Sequence, residues 1–149
     1  MTTAAVQDAA EKQLPLHLAT VPKSLLIIED DLSVIEFLEV VLDHLRPGLS
    51  WDYATSAEEA MELVRSRGKI DGDPPYSLVI ADIFLDGDMT GFDSWLDCAQ
   101  EYPDMPFVIT SSLSLDRYLA ILSGFDNTPT FLPKPLTMGR CKSVIEEYF

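Results

Sequence analysis

With 149 residues, 47% of them apolar, the chain is long enough to bury the core of one domain and too apolar to be disordered. Its 25 acidic residues against 10 Lys and Arg give a net charge of −15, a surface that repels a phosphate backbone and excludes direct nucleic-acid binding. No apolar run approaches the roughly 20 residues needed to span a bilayer, so no membrane partner is expected.

Residues 1–22 are polar and Ala-rich, with Pro22 closing the segment. They read as a mobile tail with a helical turn near Val6–Gln13, and as no secretory leader, since a basic start and apolar centre are missing. The domain then runs over 23–149. Cys98 and Cys141 have no metal-ligand spacing and read as two half-buried reduced thiols, which suits a cytoplasmic location.

From Lys23 short apolar runs alternate with amphipathic stretches. Leu25–Ile28 is a continuous apolar run, as expected of a strand covered on both faces. Leu32–Leu45 is a helix with Ile35, Leu38, Leu42 and Leu45 along one side, ended by Pro47-Gly48. Trp51–Ala54 is a second strand, and Ser56 with Glu59 forms a capping box opening a helix that carries Ala60, Met61 and Val64. Residues 68–75, rich in Gly and Pro, form a long loop.

Ser77–Ala81 is the third strand, followed by a polar loop over Ile83–Gly91 and a helix over Phe92–Tyr102 that Pro103 stops. Phe107–Thr110 is the fourth strand, Leu115–Ser123 a helix ended by Gly124, and Thr130–Leu132 the fifth strand. Thr137–Phe149 is a last helix with Cys141, Val144, Ile145 and Tyr148 on its apolar side. The alternation predicts an α/β fold: a (βα)5 doubly wound, five-stranded parallel sheet.

Five polar positions stand at the carboxyl ends of these strands, where an open parallel sheet gathers side chains from distant segments into one crevice. Glu29 and Asp30 follow the first strand, Asp82 the third, Ser111 the fourth and Lys134 the fifth. Three carboxylates suit Mg²⁺, which takes oxygen ligands and needs only one or two carboxylates besides water. Asp31 reads as the N-cap of the following helix. Asp82 reads as a nucleophilic carboxylate able to form an aspartyl phosphate. Ser111 reads as a hydrogen-bond donor to a phosphoryl group, with Thr110, Ser112 and Ser114 as competing hydroxyls. Lys134 lies between Pro133 and Pro135, and a cis Lys134–Pro135 bond would aim its ammonium into the crevice.

These segments resemble the receiver domain of two-component response regulators, including the chemotaxis-type single-domain members. LLIIEDD is similar to the family's first strand and acidic pair, SLVIADIFLDGDMTGFD to its phosphoacceptor strand and loop, MPFVITSS to its fourth strand, and FLPKPL to its lysine–proline motif. The similarity covers about Lys23 to Phe149. The resemblance implies a flavodoxin-like receiver fold in which Asp82 is the phosphoacceptor. It also implies that Glu29, Asp30, Asp82 and the backbone carbonyl of Phe84 bind Mg²⁺. Ser111 would be the signalling hydroxyl, Lys134 the phosphoryl partner and Phe131 the aromatic switch.

The resemblance further implies a signalling domain, not a classical enzyme, that assists its own phosphorylation and dephosphorylation. Its partners would be a sensor histidine kinase or histidine phosphotransfer protein, a downstream effector protein, and a second copy in a homodimer. An unphosphorylated receiver-like interaction module is the alternative reading, and a small phosphohydrolase or nucleotide-binding enzyme is disfavoured by the missing P-loop and G-x-G-x-x-G. The chain departs from the family pattern at Asp86, where many members have proline, and in the 68–75 insertion. It departs again in GFDNTPT over 124–130, which makes an altered fifth strand the expectation there. Phe84 and Leu113 are expected to flank the site with apolar bulk.

Overall fold

The computed structural model of the chain describes residues 23–69, 72–85 and 87–149; the expected tail over 1–22 and the reading of Asp86 lie outside them. Strands and helices alternate as β1 (Ser24–Ile28), α1 (Leu32–Leu45), β2 (Ser50–Ala54), α2 (Ala57–Arg67), β3 (Leu78–Asp82), α3 (Gly91–Glu101), β4 (Phe107–Ser111), α4 (Leu115–Ile121), β5 (Thr130–Pro133) and α5 (Met138–Tyr148). All five strands pair in parallel in one sheet, in the order β2-β1-β3-β4-β5. The expected doubly wound (βα)5 architecture is the one observed.

Helices cover both faces of the sheet, which is why β1, β3 and β4 are buried at every position. One core joins Leu26, Ile28, Val79, Ala81, Phe107 and Ile109 of the sheet to Met61 and Val64 of α2, Cys98 of α3 and Tyr118 of α4. The other joins Leu25, Ile27, Leu78, Ile80, Val108 and Leu132 to α1 and α5. Alternate residues along each strand serve opposite cores, as the two-residue period requires. Both cysteines are buried, not half-buried as the helical patterns suggested: Cys98 packs against Met61, with Sγ 4.0 Å from Sδ, and Cys141 faces the sheet.

Several boundaries differ from the sequence reading by one or two residues. β3 starts at Leu78 and includes Asp82, because the Ser77 hydroxyl and amide bond Ser24 at the strand's entry. α3 begins at Gly91 behind Thr90, whose hydroxyl and Asp93 form a reciprocal capping box that the sequence reading did not single out. The expected box at Ser56 forms on one side: Ser56 Oγ accepts from the Glu59 amide, while the Glu59 carboxylate accepts from Thr55 Oγ1. α4 is shorter than expected and buries Tyr118, with Leu122 buried just past its end, while Leu115 and Leu119 face outward.

Candidate functional site

β1 and β3 are neighbours, and between them the winding of the sheet reverses direction, since β2 lies on one side of β1 and β4 beyond β3. A crevice at the carboxyl ends follows from that reversal. Glu29 leaves β1 with its amide donating to the Ala54 carbonyl at 3.0 Å, and Asp82 closes β3. Both are buried, and one carboxylate oxygen from each of Glu29, Asp30 and Asp82 lies within 4.8 Å of the others. Asp31 turns away to cap α1, accepting from the Ser33 amide at 2.9 Å and the Ser33 hydroxyl at 2.7 Å.

Lys134 reaches the same point from β5. Its amide donates to the Ser111 carbonyl at 2.9 Å, and the Lys134–Pro135 bond is cis. Its Nζ donates to Glu29 Oε2 and Asp82 Oδ2, both at 3.0 Å. Burial raises the Glu29 carboxyl well above the ordinary carboxylate range, the Lys134 hydrogen bond opposes that, and the Asp82 charge adds to it. Burial pushes the Lys134 ammonium down, but its hydrogen bonds to Glu29 and Asp82 outweigh this and hold it above its usual value. Three carboxylates against one ammonium leave excess negative charge in a half-dry crevice, the condition under which a hard divalent cation is held.

Successive residues of a strand face opposite ways, so Ser111 shares the side of Ile109 and the α2–α4 core, while Thr110 shares that of Val108. Phe131, paired with Ile109 across β4 and β5, packs on the side of Ser111. Ser111 is fully buried, with its Oγ accepting from the Leu113 amide at 3.0 Å. Ser112 is exposed and Ser114 caps α4. The fifth strand forms despite the unusual segment before it, and Phe131 is half-buried there.

Phe84 donates its amide to Asp82 Oδ1 at 3.3 Å and leaves its ring 57% exposed; Leu113 is half-buried. Among the bonds that hold the loop between β3 and α3 are the Ile83 amide to the Thr110 carbonyl, the Gly91 amide to the Ile83 carbonyl, and the Asp88 amide to Glu58 Oε2. Gly91 is tightly enclosed: a Cβ there would collide with the Asp82 carbonyl group and lie 3.1 Å from Ile83 Cα. The collision with Asp82 is visible only in three dimensions.

Neither a family-wide sequence profile nor any curated protein sequence matches the chain. Solved structures do. A CheY-like response regulator receiver domain protein from Methanospirillum hungatei superposes with a TM-score of 0.65 at 21% identity, over 85% of this chain and 93% of that one. A receiver domain protein from Clostridium thermocellum gives 0.69 at 20% identity, over 85% and 93%. The chemotaxis protein CheY4 of Vibrio cholerae gives 0.68 at 14% identity, over 87% and 100%. Those shared dimensions, with the observed strand order, give this chain the flavodoxin-like fold of response regulator receiver domains.

Proposed function

We propose that the chain is a phosphoacceptor receiver domain of a two-component phosphorelay, and that Asp82 takes the phosphoryl group. One observation carries this reading: Lys134 Nζ bridges Glu29 and Asp82 at 3.0 Å each, beside the Asp30 carboxylate, at the carboxyl edge of the sheet. An Asp82 oxygen attacks phosphorus in line, and the donor's P–N bond breaks with its electrons leaving on the imidazole, which takes a proton from solvent. The donor is a histidine of a sensor kinase or phosphotransfer protein.

Glu29, Asp30, Asp82 and the Phe84 carbonyl are the proposed Mg²⁺ ligands, all hard oxygens as that ion prefers. Bound there, Mg²⁺ supplies positive charge against the oxygens of the transferring group. Lys134 contributes a rigidly held ammonium to those oxygens once they arrive. The Ser111 hydroxyl turns from the Leu113 amide toward the phosphoryl group, and Phe131 on the same side of the sheet follows. The new surface binds an effector protein or a second copy. Phe84 and Leu113, two residues past Asp82 and Ser111 respectively, are the proposed apolar shield of the phosphoryl group, and a phosphoryl half-life in Phe84→Ala no shorter than in the wild type would remove that role.

The test is incubation with acetyl phosphate and Mg²⁺, read by intact mass. A phosphoryl adduct that is lost in Asp82→Asn and without Mg²⁺ is expected. A chain that stays unlabelled while a control receiver labels would overturn the reading in favour of an interaction module that works unphosphorylated.

A further inference from the structure

Three aromatic rings lie in file between the acceptor loop and β5. Phe92, directly after Gly91, has its ring centroid 6.1 Å from that of Tyr118 on α4, with 21° between planes. Tyr118 in turn stacks on Phe131 at 4.2 Å and 19°. Tyr118 is 2% exposed, and its hydroxyl donates to the Pro129 carbonyl at 2.8 Å. A buried phenol needs an acceptor, and this one finds it on the residue immediately before β5. Tyr118 therefore grips the entry of β5 twice, by its ring on Phe131 and by its hydroxyl on Pro129.

Among the described residues, Tyr118 is the one buried residue of α4. Apart from Leu122 just past its end, its other large apolar side chains, Leu115, Leu119 and Ile121, face outward. Ser111 stands on the sheet face that Phe131 shares, two residues along β4 from Ile109, which pairs with Phe131.

We propose that Tyr118 is a positioning residue that holds Phe131 and the entry of β5 in the unphosphorylated arrangement, so that a phosphoryl group on Asp82 works against the Tyr118–Pro129 hydrogen bond. The inference rests on the function proposed above and adds the residue that sets the balance of the switch. A bond made in only one of two arrangements biases the equilibrium by its own worth. Removing it raises the population of the arrangement that accepts the phosphoryl group.

The experiment compares labelling rates of the wild type, Tyr118→Phe, Phe131→Leu and the double variant with acetyl phosphate and Mg²⁺. In the labelling step an Asp82 oxygen forms the bond to phosphorus and acetate leaves with the electrons of the broken P–O bond. Tyr118→Phe keeps the stack and loses the hydroxyl; it is expected to label about fivefold faster, the factor that one net buried hydrogen bond carries, although it is less stable. In the Phe131→Leu background the same change is expected to add little, since its effect runs through Phe131. A merely structural tyrosine would lower stability and leave the rate unchanged, and that result would overturn the inference alone. No adduct on the wild type would overturn the proposed function and this inference with it.

Discussion

Gly91 and Asp82 meet backbone to backbone: a Cβ added at Gly91 would lie 2.8 Å from the carbonyl carbon of Asp82. The opposing atoms belong to the main chain of Asp82, so no side chain can swing aside. Gly91→Ala is expected to cost about 3 kcal/mol, at the upper end for overpacking, and to shift Asp82. Gly139, near the start of α5, has open space around its Cβ direction. Gly139→Ala serves as the control, expected to be neutral or stabilising by up to about 1 kcal/mol. Urea midpoints of the two variants check both.

Lys134 is the only cation hydrogen-bonded to Glu29 and Asp82 among the described residues. Lys134→Met leaves those carboxylates facing one another in a buried setting. In metal-free buffer it is expected to lose roughly 2 kcal/mol, less than a fully buried pair because the crevice is partly open. Mg²⁺ should restore much of the loss and bind more tightly than to the wild type, since the ammonium no longer competes for the same oxygens. Thermal melts across a Mg²⁺ titration read both effects; equal Mg²⁺ affinity in the two proteins would contradict the arrangement.

Alkaline pH should weaken the fold through buried thiols and phenols, among them Cys98, Cys141 and Tyr118. Burial raises the Cys98 thiol to about 12, with Asp97 and Glu101 adding to it, and raises the Cys141 thiol to about 11 and the Tyr118 hydroxyl to about 12. The unfolded chain ionises these groups near their ordinary 9.0 for a thiol and 10.0 for a phenol. Their contribution is therefore fully present below about pH 9 and is lost as pH rises through the folded values, at up to about 1.4 kcal/mol per unit for each group. Urea midpoints should be flat up to about pH 9 and fall above it. At pH 8 a thiol reagent should label neither cysteine until the chain unfolds.

At the opposite end of the sheet, the buried Tyr76 hydroxyl donates to Asp52 Oδ2 at 2.7 Å, and the Arg67 guanidinium lies 4.5 Å from the Tyr76 ring centroid. Tyr76→Phe removes the hydrogen bond and keeps the ring. It is expected to cost about 1.5–3 kcal/mol, as for a hydrogen bond to a charged group. Labelling of Asp82 by acetyl phosphate should not change, because nothing in this cluster touches the crevice. A slower labelling rate at full folding would show a coupling between the two ends of the sheet that the packing does not suggest.

Much of the fold was legible in the chain because both of its signals are local. Unbroken apolar runs such as Leu25–Ile28 mark strands covered on both faces, and amphipathic stretches with caps, such as Asp31 before Leu32–Leu45, mark the helices. Fixed strand order then carries Glu29, Asp30, Asp82, Ser111 and Lys134 to one edge, so the candidate residues that share that edge were legible in sequence. Tertiary structure decided what depends on contacts between distant segments. Lys134 bonds Glu29 and Asp82 across 105 and 52 residues, a geometry that no spacing encodes. The strand's two-residue alternation, referred to the cores on either side, puts Ser111 and not Thr110 on the sheet face of Phe131. Gly91 owes its restriction to the Asp82 backbone, and Tyr118 is buried where α4's own pattern would equally have offered Leu119. The sequence by itself determined which residues could meet; only packing determined which atoms do, because close contact depends on how the elements stack and not on the order in which they follow.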